Sequence, residues 1–286
     1  MDVVRQELTE GLGRAARALR RGIRSDRRIH DIRKRLKYCR ALLRLLRKSL
    51  GKEAYQRENA RLRDAARSLV PVRDAAVLMQ ALDGLCPRSS DGKTFCSAVR
   101  TALRRESRER HEQLRRKALL SSAMAVSDVA RRMRMLPQAQ LTRADPAKAV
   151  KRAYRTSRRA MTAAEQQCSR DSLHEWRKQV KYFASQLKSL SPILSKGGGL
   201  GKTRKKSNRL ADCLGDDHDL ALLHDKIIQH RKLAGAADAQ VDALLQQLAQ
   251  RRAELQRKAY RCGKRLFAVN ARRLEARVRQ RLSANR

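Results

Sequence analysis

HDIRKRLKY occupies residues 30–38 and HEWRKQVKY occupies residues 174–182. Five of the nine positions (His, Arg, Lys, Lys and Tyr) are identical, and the copies lie 144 residues apart. Wound at 100° per residue, each copy sorts into two faces of one helix. Around the first, Ile29, Ile32, Leu36, Cys39, Leu43, Leu46 and Leu50 form an apolar stripe, while His30, Arg33, Lys34, Lys37, Arg44 and Lys48 form a basic face. Around the second, Leu173, Trp176, Val180, Phe183, Leu187 and Leu190 are the apolar stripe; His174, Arg177, Lys178, Lys181 and Lys188 are the basic face. The apolar stripes exchange one hydrophobic residue for another, as a core allows. The basic faces keep their residues. A merely solvated face mixes signs so that i,i+4 pairs attract. Four cations within two turns repel, and an anionic ligand is what would offset that repulsion.

Outward from the nonamers, period-3.6 patterning continues almost throughout and no strand pattern emerges, which predicts an all-α fold. Ser25 and Ser169 stand where helix N-caps are expected, just before each nonamer. SLGKE near Gly51 and SPILSKGGGLG near Gly197 should end the nonamer helices, GLCPRSSDGK from Gly84 reads as a loop, and MLPQAQLTRADPAK from Met135 reads as the main linker, with Pro146 in the first turn of the next helix. One domain over 1–286 is expected, with internal halves 1–140 and 141–286. Each half should contain a basic helix, the nonamer helix, a short basic helix, another short helix and a long arginine-rich helix. LVPVRDAAVL (69–78) aligns with LGDDHDLALL (214–223) in the same order. A tandem duplication accounts for this, and two similar halves packed about a pseudo-twofold axis would bring both basic surfaces to one site.

Composition names the partner class. Lys plus Arg number 69 against 28 Asp plus Glu in 286 residues, a formal charge of +41. Such a charge self-repels in a compact state unless a polyanion neutralises it: DNA, RNA, an anionic membrane or inorganic polyphosphate. Hydrophobic content of 41% is too high for a disordered basic tail. Aromatics are only 3%, too few for the stacking platforms of single-strand binders, which favours a partner recognised by its phosphates. Cys39, Cys86, Cys96, Cys168, Cys213 and Cys262 form no C-x-x-C pair and read as reduced thiols. MDVVRQELTEGLG at the N-terminus lacks the apolar core of a signal peptide, and no apolar run approaches the ~18 residues of a membrane span, so a cytoplasmic protein without membrane association is expected.

Further basic stripes follow the same design. Arg14, Arg17, Arg21 and Arg24 oppose Leu12, Leu19 and Ile23; Lys148, Arg152, Arg155 and Arg159 share a face; Lys202, Lys205, Lys206 and Arg209 make a short stripe. If these surround one groove, several cations could bond each phosphate.

The paired H-[DE]-x-R-K-x-x-K-Y nonamers, with LGDDHDLALL following the second, resemble the CHAD family, the conserved histidine α-helical domain. The resemblance runs over roughly residues 5 to 280, including RRAELQRKAYRCGKRLFA near the C-terminus. It implies two pseudo-symmetric helical bundles with a basic groove between them that binds inorganic polyphosphate. The family's motif histidines fall on His30 and His174, its basic positions on Arg33, Lys34, Lys37, Arg177, Lys178 and Lys181. Two departures stand out. Arg73 takes the place that His218 holds in the second half, and the chain leaves no room for the triphosphate-tunnel catalytic domain that many relatives carry.

Other motifs are weaker. DDHD (216–219) with His224 suggests a phosphohydrolase metal site, but His218 and His224 are six apart and point to different sides of a helix. Asp216 and Asp217 read instead as the start of a helix. GGGLGKT mimics a P-loop, yet its first required glycine falls on Lys196 and a helix precedes it rather than a strand. No catalytic constellation, metal or cofactor is expected. The sequence therefore predicts a non-catalytic polyphosphate-binding protein, targeted to polyphosphate granules in the cytoplasm. The alternatives are a nucleic-acid-binding or architectural protein, since +41 binds DNA nonspecifically at low salt, and a metal-dependent phosphoanhydride hydrolase using DDHD.

Overall fold

A computed structural model of the chain describes residues 1–22, 25–86, 90–113, 116–143, 145–191, 199–231 and 238–283. Among them the fold is all-α, as the periodicity predicts. Thirteen helices follow in order: α1 (Asp2–Arg20), α2 (Asp26–Leu45), α3 (Arg47–Leu50), α4 (Lys52–Arg67), α5 (Val70–Asp83), α6 (Ser90–Gln113), α7 (Arg116–Arg134), α8 (Gln138–Leu141), α9 (Pro146–Gln167), α10 (Arg170–Leu190), α11 (Gly199–Gln229), α12 (Asp238–Phe267) and α13 (Ala271–Ser283).

The punctuation residues act where the sequence places them. Ser25 Oγ accepts the Arg28 N–H at 3.4 Å to start α2. Ser169 and Ser172 cap each other's backbone reciprocally to start α10, supplying partners for N–H groups that the first turn leaves orphaned. Asp145 caps α9 through the Lys148 N–H at 2.9 Å, with Pro146 in the first turn. Gly51, at φ +79°, turns the chain between α3 and α4. Met135 to Asp145 is not wholly a linker, since α8 forms within it.

Three expectations are corrected. The second half does not have two short helices after its nonamer, because α11 runs unbroken through both. Asp216 and Asp217 therefore lie mid-helix and start nothing. The cause is one residue type. Pro71 opens α5 in the first half, since proline cannot continue a helix from before it; the matching segment has no proline, and its buried Leu210, Leu214, Leu220 and Leu223 keep the helical period. The thiols are not all reduced either. Cys86, after α5, and Cys96, in α6, form a disulfide across ten residues, a spacing that no short motif flags. Cys39, Cys168, Cys213 and Cys262 are free. Ile23, Arg24, Lys196, Gly197 and Gly198 lie outside the described residues, so part of the first stripe and the beginning of the P-loop mimic are not placed; the rest of the mimic, 199–203, opens α11.

Central in the packing are the two nonamer helices. α2 packs on α1, α4, α5 and α10; α10 packs on α2, α9 and α11; α7 covers α1 and α4, and α13 covers α9. One apolar core joins α1, α2, α4, α7, α9, α10 and parts of α11 to α13; another joins α5 and α6 to α11 and α12. Each draws on both sides of residue 140. Trp176 is wholly buried and stacks on Tyr260 at 5.1 Å between ring centroids. Tyr154 meets Phe183 and Phe267 edge-on, a favoured aromatic geometry. Gly263 lets α12 approach this cluster: a Cβ there would lie 2.6 Å from Met161 Sδ and 2.9 Å from Trp176 Cζ2.

Candidate functional site

Each nonamer helix buries its predicted apolar stripe: Ile29, Ile32, Leu36 and Cys39 in α2, Leu173, Trp176, Val180 and Phe183 in α10. What remains outward is Lys34 and Lys37 in the first copy, and His174, Lys178 and Lys181 in the second, with His30 half-buried. The repeated arginines depart from the sequence reading, which put them on the open face. Arg33 and Arg177 are 7% and 5% exposed. Arg33 sits one turn from both Ile29 and Leu36, at the seam between stripe and face, and Arg177 holds the same place. Arg33 donates to the Ala66 carbonyl at 2.8 Å, tying α2 to α4. Arg177 faces the Asp219 carboxylate of α11 at 3.9 Å. The second face is also not wholly cationic, because Glu175 pairs with Lys178 one turn on.

The helices cross, and their contacts are reciprocal. Lys188 of α10 lies over the Tyr38 ring, 5.3 Å from its centroid. Arg44 of α2 lies over the Tyr182 ring at 3.9 Å, with Arg40 at 5.9 Å. Each tyrosine that closes a nonamer thus receives a cation from the other helix, a cation–π contact, and the two contacts are related by the 144-residue spacing of the repeat. Tyr38 further donates to Glu7 of α1, whose second carboxylate oxygen accepts from Ser189 at 2.8 Å. Burial and that carboxylate push the phenol well above its ordinary value.

His174 meets His218 of α11, Nδ1 to Nδ1 at 3.4 Å with ring centroids 4.7 Å apart. Burial, then Arg177, Lys178 and Lys37, hold His174 below the ordinary histidine pKa. Lys37 belongs to the first nonamer, so the two copies act on one another at this point. Around them, the DDHD residues disperse. Asp217 is buried and accepts from Arg252 and Gln256 at 3.0 and 2.9 Å. Asp219 faces Arg177. Asp216 is raised above the usual carboxylate range by burial, then by Asp219 and Asp212. Among the described residues, no group of three or more His, Cys, Asp or Glu side chains could hold a metal ion, and no helix is long and apolar enough to cross a membrane.

The remaining predicted residues are spread more widely. Arg44 and Lys48 join Lys148 and Arg152 of α9 around a shallow depression that also takes in Arg47. Lys202, Lys205, Lys206 and Arg209 are exposed on the first half of α11, which runs antiparallel to α10. Arg14 pairs with Glu10. Arg17 lies near Arg134 of α7, and Arg21 is exposed at the end of α1. Arg155 and Arg159 face a cleft toward α13. The sequence reading assigned nothing to Arg40, Arg47, Tyr38 or Tyr182. The repeated tyrosine was the signal available, but only the crossing shows what it meets.

A family model described as "CHAD domain" matches residues 6–228. The protein belongs to the CHAD domain family, a family associated with polyphosphate binding. Among solved structures, the fold is similar to "PptA from Streptomyces chartreusis", with 15% identity, a TM-score of 0.68 and 98% of each chain covered. A comparison with curated proteins yields no match.

Proposed function

We propose that the protein binds inorganic polyphosphate without turning it over, along a basic surface centred on the crossing of α2 and α10. The observation that carries this is the reciprocal pairing of Tyr38 with Lys188 and Tyr182 with Arg44, together with the reach of Lys37 to His174. It supports reading the repeat as one duplicated surface brought together. A linear polymer with one charge per phosphate matches a row of lysines that no nucleobase platform accompanies. Lys34, Lys37, Lys178 and Lys181 supply the outward charge, Arg33 and Arg177 brace their helices from within, and Lys202, Lys205, Lys206 and Arg209 extend the track. The hydrolase alternative is disfavoured because Asp217 is engaged by Arg252 and Gln256. Recruitment of the chain to polyphosphate granules follows from the same binding.

The test is competition near 150 mM salt. Labelled long-chain polyphosphate is displaced by unlabelled polyphosphate or by duplex DNA, for the wild type and for a Lys34→Ala, Lys37→Ala, Lys178→Ala, Lys181→Ala variant. Exposed lysines are chosen because losing buried Arg33 or Arg177 would disturb the fold. At up to about 1 kcal/mol per solvent-exposed ion pair, the variant should lose on the order of 10²–10³-fold in affinity, and DNA should compete poorly per phosphate. Equal competition by DNA, with a loss no larger than four lysines removed elsewhere produce, would hand the site to nucleic acid.

A further inference from the structure

Away from the α2–α10 crossing, α9 and the start of α13 enclose an open cleft of about 470 Å³, within the ~300–1,000 Å³ range of small-ligand sites. Arg155, Arg158 and Arg159 of α9 and Arg272 of α13 line it, with Thr162 and Asn270 between them. All four arginines are exposed. Arg158 and Arg272 belong to none of the basic stripes read from the sequence, and Arg272 lies beyond the span matched by the family model.

The charge distribution at this junction is selective. Its carboxylates are all engaged by other cations: Asp145 by Lys148 and Arg279, Glu275 by Lys151 and Arg279, and Glu165 by Lys264. Among the described residues, none of the four cleft arginines makes an ion pair. Like charges at i,i+3 and i,i+4 repel, so the bare protein gains nothing from Arg155, Arg158 and Arg159 on one rim. The helix start is not what carries the argument, since Asn270 already caps it by accepting the Arg272 N–H at 2.8 Å. The cleft also offers no ring for a base to stack on. Tyr154 is 1% exposed and its hydroxyl is spent on the carbonyls of Leu266 and Val269.

We infer that this cleft is a second anion site, separate from the crossing, which takes the phosphoanhydride groups of a short oligophosphate or of the end of a longer chain. Four exposed arginines lining one cleft suit the closely spaced oxygens of adjacent phosphates, which a planar guanidinium fork can bond bidentately. The site stands whether or not the crossing binds polymer.

Calorimetric titration of the full chain with tripolyphosphate at about 150 mM salt tests it. An Arg158→Ala, Arg272→Ala variant should weaken one tripolyphosphate site on the order of tenfold or more. An Arg257→Ala, Arg261→Ala variant on α12 removes the same charge elsewhere and should leave that site intact, as should the four-lysine variant. Equal losses in the two arginine variants, or loss of all tripolyphosphate binding in the lysine variant, would overturn the inference. In the lysine variant, displacement of tripolyphosphate by long-chain polyphosphate shows that chain ends enter the cleft; no displacement shows that it takes free oligophosphate. Displacement by an oligodeoxynucleotide equally well per phosphate would overturn the ligand class. Failure of the crossing reads out separately, as undiminished binding of long-chain polyphosphate by the lysine variant.

Discussion

Gly215 and Gly263 both lie inside helices, yet alanine is expected to act in opposite directions at the two. At Gly215 a Cβ would meet Arg177 and Lys181 atoms at 3.9 Å, ordinary contact, so the gain of up to ~1 kcal/mol in helix propensity should appear as stabilisation. At Gly263 the Trp176 ring and Met161 leave no room, and an overpacking cost of about 1–3 kcal/mol should exceed that gain. Urea melts of both variants check the signs. His174 makes a prediction about pH. Its pKa is lowered in the free protein, so the unfolded chain takes up the proton first, and this contribution to stability, complete above about pH 6.5, is lost as pH falls through the folded value. A bound polyanion raises the pKa instead, so polyphosphate affinity should strengthen over the same range. Titrations from pH 8 to 5.5, with His174→Gln as control, read this out; an affinity flat over that range refutes it. The face that holds His174 and Lys178 was legible from the repeat, whereas His218 as its partner was not, because the 44-residue separation from His174 is closed only by the packing of α10 on α11.

For single elements, the start of α10 depends on Ser169, whose side chain and backbone both pair with Ser172. Ser169→Ala should cost about 1 kcal/mol. Ser25→Ala should cost less, since its bond to Arg28 is longer, at 3.4 Å, and exposed. Because α10 carries His174, Arg177 and Lys178 on its first turns, Ser169→Ala should also weaken polyphosphate binding several-fold, which the competition assay measures. The starts of α2 and α10 were readable because a capping serine acts within three residues of itself. The continuity of α11 was not, because alignment with the first half suggested a break that only Pro71 enforces there. The buried state of Arg33 and Arg177 escaped the sequence for a related reason. A residue at the seam of a helical stripe is turned in or out by what packs beside it, and here the Ala66 carbonyl and the Asp219 carboxylate are what it meets.

Across the whole molecule, a charge of +41 makes binding a matter of counterion release, and the logarithm of affinity should fall linearly with the logarithm of salt concentration. Each lost lysine contact should reduce that slope by roughly 0.7, the value for single-stranded polyanions, so the four-lysine variant should lose between two and three. A variant with unchanged slope would show that those lysines touch no phosphate. By itself, the sequence determined the helical class, the starts of the two nonamer helices, the apolar stripes, the family and the net charge. Those depend on residues within a few turns of one another, or on totals such as net charge that no packing alters. The tertiary structure alone decided that α2 and α10 cross, that their tyrosines exchange cations, that Cys86 bonds Cys96, and that four arginines of α9 and α13 share one cleft. Each of those joins residues on different elements, and which faces meet is set by how whole apolar surfaces fill one core, a property that no local stretch of chain contains.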